Sequence, residues 1–205
     1  MDDPGWPNAR LRLLRRAAAP GAPSREDTVT VWLDGSRLKL RDESGRPFPD
    51  VLDEVTSPRG FGRPARSIED LMAAWTPATT SQPTEILVDL GAGETVVRER
   101  GDEPWRIPVG TTRALVDLVL TGGREQALTP TGEERFLERD CRAYRSTLDG
   151  TEDGVRFSTV VDWLVSGPYL LRRELRDADN SGRWMTSEVV ELVEGDVGGD
   201  DLGLG

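Results

Sequence analysis

Hydrophobic and polar positions alternate with two different periods along this chain. In the C-terminal third the period is two. Val155, Phe157, Thr159, Val161, Trp163 and Val165 share one side of an extended segment, and polar residues fill most of the other. Strands are therefore predicted at 144–148, 155–165, 169–175 and 183–193, separated by the turn-forming runs DGTEDG, SGP and DADNSG. That is an antiparallel meander. Val29, Val31 and Leu33 alternate in the same way, Asp34-Gly35 marks a hairpin, and Leu38 and Leu40 resume the alternation beyond it. The run ILVDLGAGET, 86–95, resembles the glycine-rich turn of S-adenosylmethionine-dependent methyltransferases. Thr95 replaces the third glycine, however, and the β-branched TVV that follows favours a strand, so a hairpin joining 84–90 to 95–100 explains the same letters.

Three other segments read with helical period. Leu11, Leu14 and Ala18 recur at helix spacing in ARLRLLRRAAA, 9–19, with Arg12, Arg15 and Arg16 off that face. Ser67 caps a short helix with Leu71, Met72 and Trp75 on its apolar side, ended by Pro77. Leu115, Leu118 and Val119 define another over 112–121, stopped by Gly122-Gly123. These helices are too short for a bundle and are expected to cover a sheet. The predicted fold is α+β: a strongly curved antiparallel β-sheet, a half-barrel, with a few short helices on its concave side. Residues 1–7 are expected to be a flexible N-terminus, 8–195 one domain, and 196–205 a flexible acidic tail, because Gly, Pro and Asp bury too little apolar area to be ordered.

Composition then narrows the chemistry. The 205 residues contain no histidine and one cysteine. This excludes Ser-His-Asp and Cys-His catalysis, an internal disulfide and a Cys/His zinc site. The paired carboxylates Glu133-Glu134, Glu152-Asp153 and Asp200-Asp201 fall in turns or tails and read as solvated surface. A net charge of −11 with dispersed basic residues argues against nucleic acid. No apolar run reaches the length of a membrane span or a signal-peptide core, so a cytoplasmic location is expected.

One motif points to a metal. In DADNSGRWMTSE, Asp177, Asp179 and Ser181 fall at positions 1, 3 and 5 of a calcium-loop pattern, Gly182 at 6 and Glu188 at 12. The competing reading is a polar turn between strands, since Asp, Asn, Ser and Gly are also what turns select. The Arg172, Arg173 and Arg176 positions before the loop favour the turn, and calcium stays as the alternative.

The order of elements and the segments RDCRAYRSTL, VVDWLVSGPYLLRRE and WMTSEVVELVEGDV together resemble the bacterial lipoprotein-carrier fold, the LolA-like family shared with RseB-type regulators and mycobacterial lipid-binding lipoproteins. Cys141, Tyr144, Trp163, Leu170, Leu171, Arg172 and the Val/Glu alternation at 189–193 carry the likeness. It implies a hydrophobic cavity for acyl chains or another apolar partner. The sequence therefore predicts a non-catalytic binding protein for an apolar small molecule, an acyl chain or a protein partner, with no cofactor. Trp32, Phe157, Val161 and Trp163 are the candidate ligand-binding residues. An enzyme, or an accessory subunit of one in a small-molecule biosynthetic pathway, using the same cavity is the alternative.

Overall fold

The computed structural model describes residues 5–18, 20–21, 24–44, 83–99, 102–108, 119–121, 128–152, 155–178, 182, 184–195 and 197–203. Eleven strands form one antiparallel sheet: β1 (Trp6–Ala18), β2 (Arg25–Gly35), β3 (Arg37–Asp42), β4 (Thr84–Asp89), β5 (Glu94–Arg98), β6 (Trp105–Pro108), β7 (Thr129–Phe136), β8 (Arg139–Glu152), β9 (Val155–Ser166), β10 (Tyr169–Asp177) and β11 (Trp184–Glu194). Their order is β6-β5-β4-β3-β2-β1-β11-β10-β9-β8-β7. The sheet is thus two meanders joined where the first strand pairs with the last. It is open, with β6 and β7 as its two edges. No helix occurs among the described residues, and none there is long and apolar enough to cross a membrane.

The N-terminal segment corrects the sequence reading. Residues 9–18 lie in β1, paired with β11 on one side and β2 on the other. Period two fits these letters as well as the helical period does. Ala9, Leu11 and Leu13 are buried in the core, with Arg15 buried in the same parity, whereas Arg12 and Arg16 lie exposed on the opposite face. Helix spacing had placed Leu14 inside and Arg15 outside, which inverts both. Two hydrogen-bonded neighbours decide the matter, because tertiary pairing overrides the helix propensity of an Arg/Leu/Ala run. The predicted helix at 67–75 and most of that at 112–121 lie outside the described residues. At the end of the latter, Leu120 bridges Tyr169 in strand fashion, Thr121 N–H donates to Pro168 O at 3.1 Å, and Leu170 N–H donates to Val119 O at 3.0 Å.

The strands predicted from alternation are found, and turn chemistry sets their registers. Asp34 pairs with Arg37, so Gly35 and Ser36 are the two loop residues, with Gly35 at φ +58°. Asp89 pairs with Glu94, closing the GAGE turn as a hairpin in which Ala92 N–H donates to Asp89 Oδ1 at 2.9 Å. The register shifts once between β1 and β11, near Arg12 and Leu13, and once between β9 and β10, near Leu170 and Arg172. Such bulges bend and twist a sheet.

One face of β1 to β5 is apolar and buried. Ala9, Leu11 and Leu13 meet Leu33, Val31 and Val29 across the β1–β2 pair. The layer continues through Leu38 and Leu40 to Val88, Ile86 and Val97. Tyr169, Leu171 and Val189 extend it into the second meander, and Val119 and Leu120 pack within the same cluster. Val119 and Leu120 stand between β6 and β7 in sequence.

The opposite, outer face is ionic. Arg145 and Arg176 both donate to Asp162, Arg10 pairs with Glu191, and Arg16 with Glu26. The stretch read from sequence as a loose tail lies against this face over 197–203. Asn8 donates to Val197 O and accepts from Val197 N–H, both at 3.0 Å, Lys39 donates to Gly203 O, and Val197 and Leu202 are buried.

Candidate functional site: a polar row across the buried face

Beyond Leu13, the inner face stops being apolar for one row. Asp27 of β2, Arg15 of β1, Ser187 of β11, Arg173 of β10 and Trp163 of β9 are successive cross-strand partners. Direct partners on one face hold their Cβ atoms about 4.5–5.5 Å apart, so the five side chains form a continuous line across five strands. Arg15 Nε donates to Asp27 Oδ1 at 2.6 Å, and Arg15 Nη2 donates to Asp42 Oδ2 at 2.8 Å. The Arg15, Asp27 and Asp42 side chains are 6, 10 and 0% exposed. Asp42 is fixed in turn by Ser44, whose N–H and hydroxyl both donate to Asp42 Oδ1. At the far end, Trp163 Nε1–H donates to Ser146 Oγ at 3.1 Å.

On the other side of this row the face is apolar again. Val161, Leu175 and Met185 are buried together, with Ala17 and Trp163 packed against them. Register continues the line: Val161 faces Leu175, Leu175 faces Met185, and Met185 faces Ala17. This second apolar row spans three strand spacings, about 14 Å. It is flanked on one side by the polar row and on the other by Thr159, which faces Asp177. Around the bulge near Leu170, Trp163 also touches a third cluster of Tyr144, Val165 and Leu170.

Two hydroxyls in this region stand out. The hydroxyls of Ser187 and Thr159 are buried and find no hydrogen-bond partner among the described residues, at residue exposures of 5 and 0%. Buried hydroxyls are ordinarily paired, and an exception asks for an explanation.

The sequence candidates divide accordingly. Val161 lies in the second apolar row, and Trp163, at the end of the polar row, packs against it. Trp32 has the parity of the outer face, where the Lys39 ammonium lies 5.3 Å from its ring centroid. Phe157 lies in β9 opposite Gly150, and its side chain is outside the described part. The polar row was not among the candidates. Its signal was a polar letter at an inward parity position: Arg15 after Ala9, Leu11 and Leu13, Asp27 before Val29 and Val31, Asp42 after Leu38 and Leu40, Ser187 between Met185 and Val189.

The calcium-loop residues lie in a hairpin. The flanking segments are strands β10 and β11, where a calcium loop of that pattern sits between helices. Arg176 pairs with Trp184 and Arg172 with Glu188, so Glu188 lies about 17 Å along the strands from the level of Asp177. Its carboxylate is 3.9 Å from the Arg172 guanidinium. Glu188 is therefore remote from Asp177 along the strands, and the flanking segments are the strands that the alternation predicts. Asp179 and Ser181 lie outside the described residues.

No family model matches the chain, and no curated protein matches it in sequence. Among solved structures it is similar to the LolA superfamily protein NE2245 of Nitrosomonas europaea, with 12% identity over 99% of this chain and 94% of that one and a TM-score of 0.38. It is similar to LprF of Mycobacterium bovis, with 11% identity over 92% and 87% of the two chains and a TM-score of 0.37. A DUF1329 family protein of Desulfovibrio piger gives 8% identity over 94% and 87% and a TM-score of 0.36. The first of these structures bears the name of the family that the sequence resembles, and similarity at this level does not reach to function.

Proposed function

We propose that the chain is a non-catalytic binding protein that holds an apolar ligand, a hydrophobic small molecule or an acyl chain, against the inner face of its sheet. The observation that carries this reading is the second apolar row. Val161, Leu175, Met185 and Ala17 form an apolar strip separated from the main core by a line of buried polar groups. A core serving stability alone gains nothing from such an interruption, because burying Arg15 and two aspartates costs several kcal/mol of desolvation per ion before their pairing offsets it. A strip of this kind suits a linear apolar body, and each CH₂ it removes from water contributes about 0.8 kcal/mol. Val161, Leu175 and Met185 are 1–3% exposed, so a ligand reaches the row only when the protein opens around it. Association is therefore expected to be slower than a preformed pocket allows.

The test is a chain-length series. Titration calorimetry with straight-chain esters from eight to sixteen carbons should show saturable binding that tightens about tenfold or more for each two CH₂ groups until the row is filled. Leu175→Arg should abolish it while the variant remains folded by circular dichroism. Absence of saturable binding to the folded wild-type chain across the whole series would remove this reading.

A further inference from the structure

We propose that the ligand of this face is an uncharged amphiphile whose oxygen-bearing end is taken by the Ser187 hydroxyl, with Thr159 as a second oxygen contact on the opposite flank of the apolar row. The inference deepens the apolar-ligand reading and rests on it.

Three observations converge. The first is the pair of unpartnered hydroxyls. Ser187 is 5% exposed and Thr159 fully buried, and neither hydroxyl has a hydrogen-bond partner among the described residues. A hydroxyl taken out of water without a partner is unfavourable, and a ligand oxygen repairs that at both places. The second is position. Ser187 borders Met185 on one side of the apolar row, and Thr159 borders Val161 on the other. A molecule lying along Met185, Leu175 and Val161 reaches one hydroxyl from each flank.

The third is charge. Ser187 lies between Arg15 and Arg173, which at first sight suits an anion. Arg15, however, is already held by both Asp27 and Asp42, and with Arg173 the group counts two guanidinium groups against two carboxylates, so its formal charges cancel. A carboxylate or phosphate brought here would add a net charge to a buried site whose own formal charges already balance. An ester carbonyl accepts from Ser187 Oγ–H, and an alcohol can accept or donate, without adding any charge. The ligand class is thus a long-chain ester or alcohol in preference to the ionised fatty acid.

The experiment uses the full chain with four twelve-carbon probes: dodecane, methyl laurate, dodecanol and laurate at pH 7.5. Methyl laurate and dodecanol are expected to bind about tenfold more tightly than dodecane, the worth of one hydrogen bond in a buried site, and more tightly than laurate. Ser187→Ala should bring methyl laurate down to the affinity of dodecane and leave dodecane unchanged. Without ligand, Ser187→Ala and the isosteric Thr159→Val should melt no lower than wild type, because each removes a hydroxyl that the free protein leaves unpaired. Laurate binding more tightly than its ester would overturn the proposal, as would unchanged ester affinity in Ser187→Ala. Equal binding of all four probes sinks the head-group inference and leaves the apolar-ligand reading standing. If none binds, that reading falls as well.

Discussion

Arg15 and Asp162 are each the middle member of a three-part ion chain, one inside the protein and one outside. Within, Asp27–Arg15–Asp42 crosses β2, β1 and β3 with side chains at most 10% exposed. Outside, Arg145–Asp162–Arg176 crosses β8, β9 and β10 with side chains 27–50% exposed, and its distances, 2.6 and 3.0 Å, are close to the 2.6 and 2.8 Å of the inner chain. Geometry alone would rank them as equals. Burial separates them: the outer groups keep most of their hydration and gain little by pairing, whereas the inner groups have exchanged water for one another and depend on every member. The outer chain keeps a sheet face soluble. The inner one splits the apolar interior into two rows, and that division gives the fold a place for a ligand.

The largest test of this contrast is Asp42→Ala. Removing Asp42 takes a buried partner from the Arg15 guanidinium, and the cost should be about 3–5 kcal/mol in urea unfolding. Replacing the whole inner chain, Arg15→Met with Asp27→Leu and Asp42→Leu, should recover most of that loss, since an apolar set of similar volume often equals a buried ion chain. The triple variant should nevertheless lose the division between the two apolar rows, and its preference among ligand lengths with it. A triple variant as unstable as Asp42→Ala would mean that the inner ions do more than satisfy one another.

How much of this was legible follows from the same residues. Strand β9 could be read because Val155, Phe157, Val161, Trp163 and Val165 alternate along it, and its neighbours because turns carrying Gly, Pro or Asp bound them. Strand β1 could not. Arg15 at an inward position breaks the period-two pattern at its fourth inward residue, and Leu14 on the outer face completes a false helical one. The pairing of β1 with β11 joins residues some 180 positions apart, as Arg10 to Glu191, and nothing local announces it. The candidate site was half legible for a related reason. Val161 and Trp163 announce themselves as apolar letters in a strand, whereas Ser187 and Thr159 matter through the absence of a partner, which only three dimensions reveal.

Tyr169 supplies a case between the two ion chains. Its ring is buried in the core, its phenol bonds to Glu194, and Glu194 is held by Arg139, whose guanidinium also lies 5.9 Å from the ring centroid. Burial first, and then the Glu194 carboxylate, push the phenol up to about 12 from its ordinary 10. A raised value means that the folded chain holds this proton more tightly than the unfolded one. The stabilisation is complete below pH 10 and is lost as pH rises toward 12. Tyr169→Phe should cost about 1–2 kcal/mol at pH 8, where the hydrogen bond to a charged partner is lost. The melting-temperature gap between wild type and variant should close between pH 10 and pH 12. A gap that stays constant over that range would show that the phenol proton plays no part.

The smallest effect is expected from Asp162→Asn. The change removes the charge from the centre of the outer chain and leaves a side chain of the same shape. Arg145 and Arg176 then return to water, which hydrates them about as well as the carboxylate did. The urea midpoint should move far less than in Asp42→Ala. What difference remains should fade in 1 M salt, where the screening length falls to about 3 Å, while the Asp42→Ala deficit should persist because ions do not reach the inner chain. Salt thus separates the two chains without further substitutions. If both deficits faded together, Arg15 would have to be accessible to solvent, and the division of the interior into two apolar rows would fail with it.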